Sequence, residues 1–194
     1  MKKIYLSAFA LLVSFLTIVQ AQVTPSTALQ SYLHNGDKTF KWEVKDTYDI
    51  GDVKAYALLL TSQQWREHVW THQLTLLVPK ENKYDGALLF ITGGSIKDGL
   101  PNWKGRDDKF NTGMAGVAAT NHAIVAVLRQ TPNQPLYNDL TEDELISFTL
   151  HNFKKDGDYT WPLLFPMVKS AVRAMDAVQE FSKQQLNHPV NRFV

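Results

Sequence analysis

The 194-residue chain contains no cysteine. Disulfide bonds, thiolate catalysis and cysteine-ligated metals are therefore excluded. It also has no excess of one charge. Setting aside Lys2 and Lys3, which belong to the leader described next, the 20 basic side chains fall to 18 against 19 acidic ones. No basic field points to nucleic acid. Neither G-x-G-x-x-G nor G-x-x-x-x-G-K-[ST] occurs, which removes the two common phosphate-cradling loops. H-E-x-x-H is missing, and so is G-x-S-x-G, the strained strand-to-helix turn that presents a catalytic serine. There is no internal repeat and no low-complexity tract.

What is present begins with an address. Lys2 and Lys3 precede an apolar run, Ile4 to Val19, broken only by Ser7, Ser14 and Thr17. Val19-Gln20-Ala21 offers small residues where a signal peptidase reads. Residues 1–21 therefore read as an export signal cleaved after Ala21. The expectation is a periplasmic or extracellular protein with no stable membrane span once the signal is removed. The remainder, residues 22–194, has the length of one domain. With 44% hydrophobic and 11% aromatic residues over the whole chain, it can build a core.

The strands come first. Phe40 to Tyr48 alternates, with Phe40, Trp42 and Val44 opposite Lys41, Glu43 and Lys45, the period of a half-buried strand. Asp49-Ile50-Gly51-Asp52 is a hairpin connection, and Val53–Leu60 and Val69–Val78 are the next two strands. The character then changes. Gly86 to Thr92 (GALLFIT) and His122 to Leu128 (HAIVAVL) are short continuous apolar runs, the pattern of covered parallel strands. Short helices are expected over Ala28–Leu33, capped by Ser26 or Thr27, and over Asp107–Ala119, with Phe110, Met114 and Val117 on one face. Thr141 and Glu144 have capping-box spacing and open another helix. The clearest helix runs from about Pro166 to Gln184. Leu164, Val168, Ala171, Met175 and Val178 form its apolar stripe, opposite Lys169, Arg173, Asp176, Glu180 and Lys183. Strands followed by alternating strands and helices give an α/β fold. Its sheet is mixed and mostly parallel, with leading antiparallel strands.

Gly93-Gly94-Ser95 follows the GALLFIT strand, at the sheet edge where ligands bind in open α/β folds. Glycine lets a backbone N–H approach a substrate closely, although two glycines after a strand also make an ordinary tight turn. Asn133 and Gln134 lie in a Pro-bounded loop after the second apolar strand and are candidates to line a pocket on the same edge. The alternative is a rigid connection. His68 and His72 have metal spacing for a helix but sit on a strand, so they read as polar residues at a strand entry, and no metal is expected. Asp156-Gly157-Asp158 reads as a turn, because the later ligands of a calcium loop are missing. The five tryptophans are scattered and read as core and loop anchors.

Several segments together resemble a known family: TALQSYL, LTSQQWR, ALLFITGGS, the PNQPL loop and TWPLLFPMVKSAVRAMDAVQEF. The resemblance is to the PhoPQ-activated pathogenicity-related protein family and runs from about Thr27 to Val194. It implies an exported protein with an α/β-hydrolase-like three-layer sandwich. It further implies a serine hydrolase acting on an unknown ester or amide, a small molecule or a peptide, with no cofactor and with links to virulence or antimicrobial-peptide resistance. Within it, Gly93, Gly94 and Ser95 correspond to an oxyanion loop. The nucleophile turn would follow the strand that opens near Val190–Val194, and the acid and histidine would come later. The chain is accordingly expected to be the N-terminal part of the domain, incomplete and inactive alone, with the Gly86–Thr92 and His122–Leu128 strands left with exposed edges. The alternative is a non-catalytic secreted protein that binds or regulates a partner.

Overall fold

The alternating strands near the N-terminus set up the sheet. The computed structural model describes residues 23–194, so the expected signal segment lies outside the described residues. α1 (Ala28–Leu33) leads into β1 (Lys41–Ile50), β2 (Val53–Trp65) and β3 (His68–Pro79), an antiparallel meander. Gly51 adopts φ +58 at the first turn, a value that costs glycine nothing. β1 does not keep one face throughout. Its pairing skips Lys45, and this bulge turns Trp42 toward one core cluster and Tyr48 toward the other.

β4 (Gly86–Ile91) follows, then a small hairpin of β5 (Ile96–Lys97) and β6 (Leu100–Pro101). α2 (Lys109–Asn121), β7 (Ile124–Leu128), α3 (Glu142–Asp156), α4 (Leu164–Phe181) and β8 (Arg192–Phe193) complete the fold, with one π-helical turn at Ser182–Leu186. Asp108 caps α2 by accepting the Asn111 N–H at 2.8 Å. The main sheet has six strands in the order β1-β2-β3-β7-β4-β8. β7 pairs antiparallel to β3 and parallel to β4, and β8 runs parallel to β4 on its other side.

The sheet is thus mixed, as expected, and covered on both faces. Phe110, Met114, Ala115 and Ala118 of α2 pack on Ala55, Ala57, Leu77, Val125 and Val127. Ala174, Ala177, Val178 and Phe181 of α4 pack on Leu58, Leu60, Leu74, Leu76, Ile124 and Leu128. This is a three-layer α/β sandwich. The connections add a further constraint. The chain steps sideways from β4 to β7 through α2, then returns across β4 to β8 through α3 and α4. Such a reversal creates a crevice at the carboxyl ends of the strands.

Five expectations need correction. The His122–Leu128 strand has no open edge, because Leu74–Leu77 of β3 pairs along one side of it and β4 along the other. β2 does not stop at Leu60 but continues to Trp65, since its polar residues Ser62 and Gln63 find buried partners. The buried face of α4 is rotated from the expected stripe. Leu164 and Val168 are 51% and 39% exposed, whereas Lys169 is 2% exposed beside Ser170 and Ala174. At α3, Thr141 makes no side-chain cap. The Glu142 N–H is taken by Gln134 Oε1 at 2.8 Å instead, and the Glu142 carboxylate accepts from Gln134 Nε2. Likewise Thr27 precedes α1 without capping it. Its hydroxyl accepts the Thr24 N–H at 2.9 Å.

Candidate active site

The carboxyl ends of β4 and β7 are tied together beyond the strands themselves. The Thr92 N–H donates to the Leu128 carbonyl at 2.9 Å, and the Thr131 and Gln130 N–H groups donate to Thr92 and Gly93, each at 3.3 Å. Gln130 is buried, with φ +59. Its Oε1 accepts the Gln73 N–H of β3 at 2.9 Å, so the glycine loop rests on a side chain fixed by two other strands.

Gly94 has φ +147, a conformation open in practice only to glycine. A Cβ at this position would lie 3.0 Å from Gln130 Nε2 and 3.3 Å from its backbone nitrogen. The loop has therefore traded side chains for close backbone packing. The N–H groups of Gly93, Gly94 and Ser95 donate to no backbone carbonyl among the described residues. Gly94 and Ser95 are exposed. The Ser95 hydroxyl accepts from Asn102 Nδ2 at 3.3 Å, and no histidine approaches it among the described residues. Adjacent N–H groups without a backbone acceptor, at the crevice of an α/β sheet, are suited to receive an anion.

Asn133 and Gln134 lie beside this loop and are both buried. Gln134 is a clamp, holding Glu142 through its amide and the Ile96 N–H through its carbonyl at 2.7 Å. Asn133 donates from Nδ2 to the Thr71 carbonyl at 2.6 Å and also lines a cavity of about 540 Å³ between the β2–β3 turn and residues 96–99 and 133–139. Asp156-Gly157-Asp158 forms a turn, in which Asp158 pairs with Arg66 at 2.8 Å and Gly157 closes α3 at φ +72. The Arg66 guanidinium lies 3.4 Å from the ring centre of Trp161.

The sequence reading missed a buried polar network. Ser62, in a bulge of β2, hydrogen-bonds His72 Nε2 at 2.9 Å, and His72 Nδ1 lies 3.0 Å from the Arg129 carbonyl. A carbonyl can only accept, so Nδ1 carries the proton and Nε2 accepts from the serine. This has the geometry of a nucleophile and its base, but both residues are fully buried. Burial pulls the imidazole down to about 4, against the opposing pull of the Arg129 and Gln130 backbone. With no route to substrate, the pair is structural. Gln63 joins it to Ser170, to the Pro166 carbonyl and to the Tyr32 hydroxyl.

Next to this network, Lys169 Nζ sits 2.7 Å from Asn35 Oδ1 and 3.3 Å from Asp37 Oδ2. Burial opposes ionisation of Asp37. The Thr39 N–H and hydroxyl, with Lys169, outweigh it and hold the carboxyl below its ordinary range. Burial likewise pulls the Lys169 ammonium down, and Asp37 pulls it back. The spacing of Lys169 in sequence gives no signal of burial, because it stands in helical register with Arg173 and Asp176. Among the described residues, no group of three or more His, Asp or Glu is placed to hold a metal ion, and no helix is long and apolar enough to cross a membrane.

Comparison with known proteins gives three results. The family model described as PhoPQ-activated pathogenicity-related protein matches residues 29–194. Autocrine proliferation repressor protein A of Dictyostelium discoideum is 33% identical over 169 residues, covering 81% of this chain and 33% of its own length. The chain thus spans about a third of that curated relative. Among solved structures, acetyl xylan esterase 1 from Thermoanaerobacterium sp. JW/SL YS485 superposes with a TM-score of 0.47 at 18% identity, over 79% of this chain and 45% of that one. Glucuronoyl esterase from Solibacter usitatus gives 0.43 at 16%, over 80% and 47%. Neither superposition adds to what the sheet order establishes.

Proposed function

This chain belongs to the PhoPQ-activated pathogenicity-related protein family, and on that premise we propose that it forms the oxyanion half of an exported serine hydrolase. The observation that carries the reading is the Gly93-Gly94-Ser95 loop. It follows β4, leads toward α2, and among the described residues its N–H groups donate to no backbone carbonyl at the sheet crevice. In α/β-hydrolases the loop in this position supplies one oxyanion donor, and the residue after the nucleophile supplies the other. A serine on the turn after β8, in the part of the protein that follows residue 194, attacks an ester or amide carbonyl. Its proton passes to a histidine, and the Gly94 or Ser95 N–H receives the charge on the carbonyl oxygen. Collapse expels the alcohol or amine, and water then releases the acid. Ser95 itself is no nucleophile in this scheme.

The test is labelling of the whole protein with a fluorophosphonate, followed by peptide mapping. The reading expects one labelled serine, located after residue 194, together with turnover of short acyl esters. Labelling at Ser95, or neither labelling nor turnover, overturns it. Export belongs to the same reading and rests on Lys2–Ala21, with the mature N-terminus expected at Gln22.

A second reading is favoured by one observation, the regulatory name of the Dictyostelium relative. On it, the protein acts by binding a partner, and fluorophosphonate leaves it unmodified.

A further inference from the structure

The cavity of about 540 Å³ beside the glycine loop has an unusual lining. It opens one residue past Ser95, where Ile96 both lines it and donates its N–H to the Gln134 carbonyl. Three carboxylates line it, those of Glu67, Asp98 and Asp139, and no lysine or arginine does. Glu67 is shared with His68 Nε2 at 3.2 Å. Asp98 and Asp139 enter no ion pair among the described residues. The nearby Arg66 is paired with Asp158 and stacked on Trp161, and its charge offsets only part of the Glu67 field at Tyr137.

Carboxylates alone do not make a site, but the floor of the cavity adds an independent observation. Asn133 lines it and is 1% exposed. Its Nδ2 must face the Thr71 carbonyl, because that oxygen can only accept. The amide is therefore oriented with Oδ1 on the opposite side, and Oδ1 has no partner. An unpaired buried acceptor costs roughly 1–3 kcal/mol, a cost that a bound donor would remove. The Tyr137 and His68 rings, 5.0 Å apart and edge to face, form an aromatic wall. Burial, reinforced by Glu67 and opposed by Arg66, pushes the Tyr137 hydroxyl up to about 12, so it stays neutral. The wall is held by three successive residues at positive φ: Tyr137, Asn138 and Asp139 at +48, +65 and +66. For a tyrosine this is a strained backbone.

We propose that this cavity binds an organic cation, an alkylammonium or guanidinium group, between the Glu67, Asp98 and Asp139 carboxylates and the Tyr137 face, with an N–H directed at Asn133 Oδ1. Carboxylates and a π face both favour a cation, and an amide oxygen accepts from its N–H groups. The role of the cavity as a specificity pocket, placing a cationic substrate so that its acyl carbonyl reaches the Gly94–Ser95 N–H groups, rests on the hydrolase reading. Its affinity for a cation does not.

The experiment is calorimetric titration of the whole protein with N-acetylargininamide and with its neutral isostere N-acetylcitrullinamide. The proposal expects the arginine compound to bind at least about tenfold tighter. It also expects that preference to shrink with added salt and to fall severalfold in Glu67→Gln and in Asp98→Asn. Equal binding of the two compounds, or binding of neither, overturns it without reliance on any variant. Turnover of an uncharged acyl ester separates the two readings. Turnover without cation preference removes this inference and leaves the hydrolase. Cation preference without turnover removes the hydrolase and leaves the site.

Discussion

Acidification destabilises this protein through one buried imidazole. His72 is fully enclosed, donates from Nδ1 to the Arg129 carbonyl and accepts from Ser62 at Nε2. Its value falls from 6.5 to about 4 on folding because burial penalises the charged ring. Between these two values the unfolded chain binds a proton that the folded chain refuses. Stability therefore rises with pH across this window and is lost as pH falls through it. Below about 4 both states are protonated, and this group adds no further slope. At about 1.4 kcal/mol per pH unit, the window accounts for roughly 3 kcal/mol. The assay is urea unfolding of the protein and of His72→Asn at pH values spanning the window. The asparagine amide keeps a donor for the Arg129 carbonyl but does not titrate. The variant is less stable at pH 6.5, and its deficit relative to the wild type shrinks by about 3 kcal/mol toward pH 4. A deficit that stays constant with pH refutes a neutral, buried His72.

Three further outcomes follow from the same geometry. Lys169→Met leaves Asp37 buried without its ammonium and costs about 3 kcal/mol, toward the low end because Asp37 keeps the Thr39 N–H and hydroxyl. Adding Asp37→Asn recovers part of that loss in the same urea titration. Phe181→Ala removes the ring on which Trp42 and Tyr56 pack at 5.8 and 4.8 Å. It lowers stability by about 3–5 kcal/mol, read as a lower urea midpoint. On the hydrolase reading, Gly94→Ala drives a Cβ against Gln130, displaces the loop and lowers ester turnover by the whole protein about a hundredfold, while far-ultraviolet circular dichroism stays unchanged.

Local pattern was enough to find β4, β7 and the helices between the later strands. HAIVAVL is buried along its whole strand, whereas GALLFIT is only part covered, with Ala87 buried and Phe90 and Ile91 exposed at the end that leads into the Gly93-Gly94 turn. What escaped was everything governed by buried polarity. Ser62, Gln63 and His72 look like surface residues in one dimension, so the apolar pattern of β2 ends at Leu60. Lys169 looks like a solvated residue, so the hydrophobic stripe of α4 points to a different buried face from the one observed. A bulge is equally silent, since the residues on either side of Lys45 keep the same alternation while exchanging faces. The Thr141–Glu144 spacing suggested a capping box, but the Gln134 amide competes for the Glu142 N–H and carboxylate and prevails.

The central claim is that the Gly93–Ser95 backbone receives the oxyanion. The most direct test is a crystal structure of the whole protein after reaction with a phosphonate that mimics the tetrahedral intermediate. The account predicts a phosphoryl oxygen at roughly 2.7–3.1 Å from the Gly94 or Ser95 nitrogen, with the phosphorus bonded to a serine beyond β8. A phosphonate bound elsewhere, or one whose oxygens are held entirely by other groups, contradicts it.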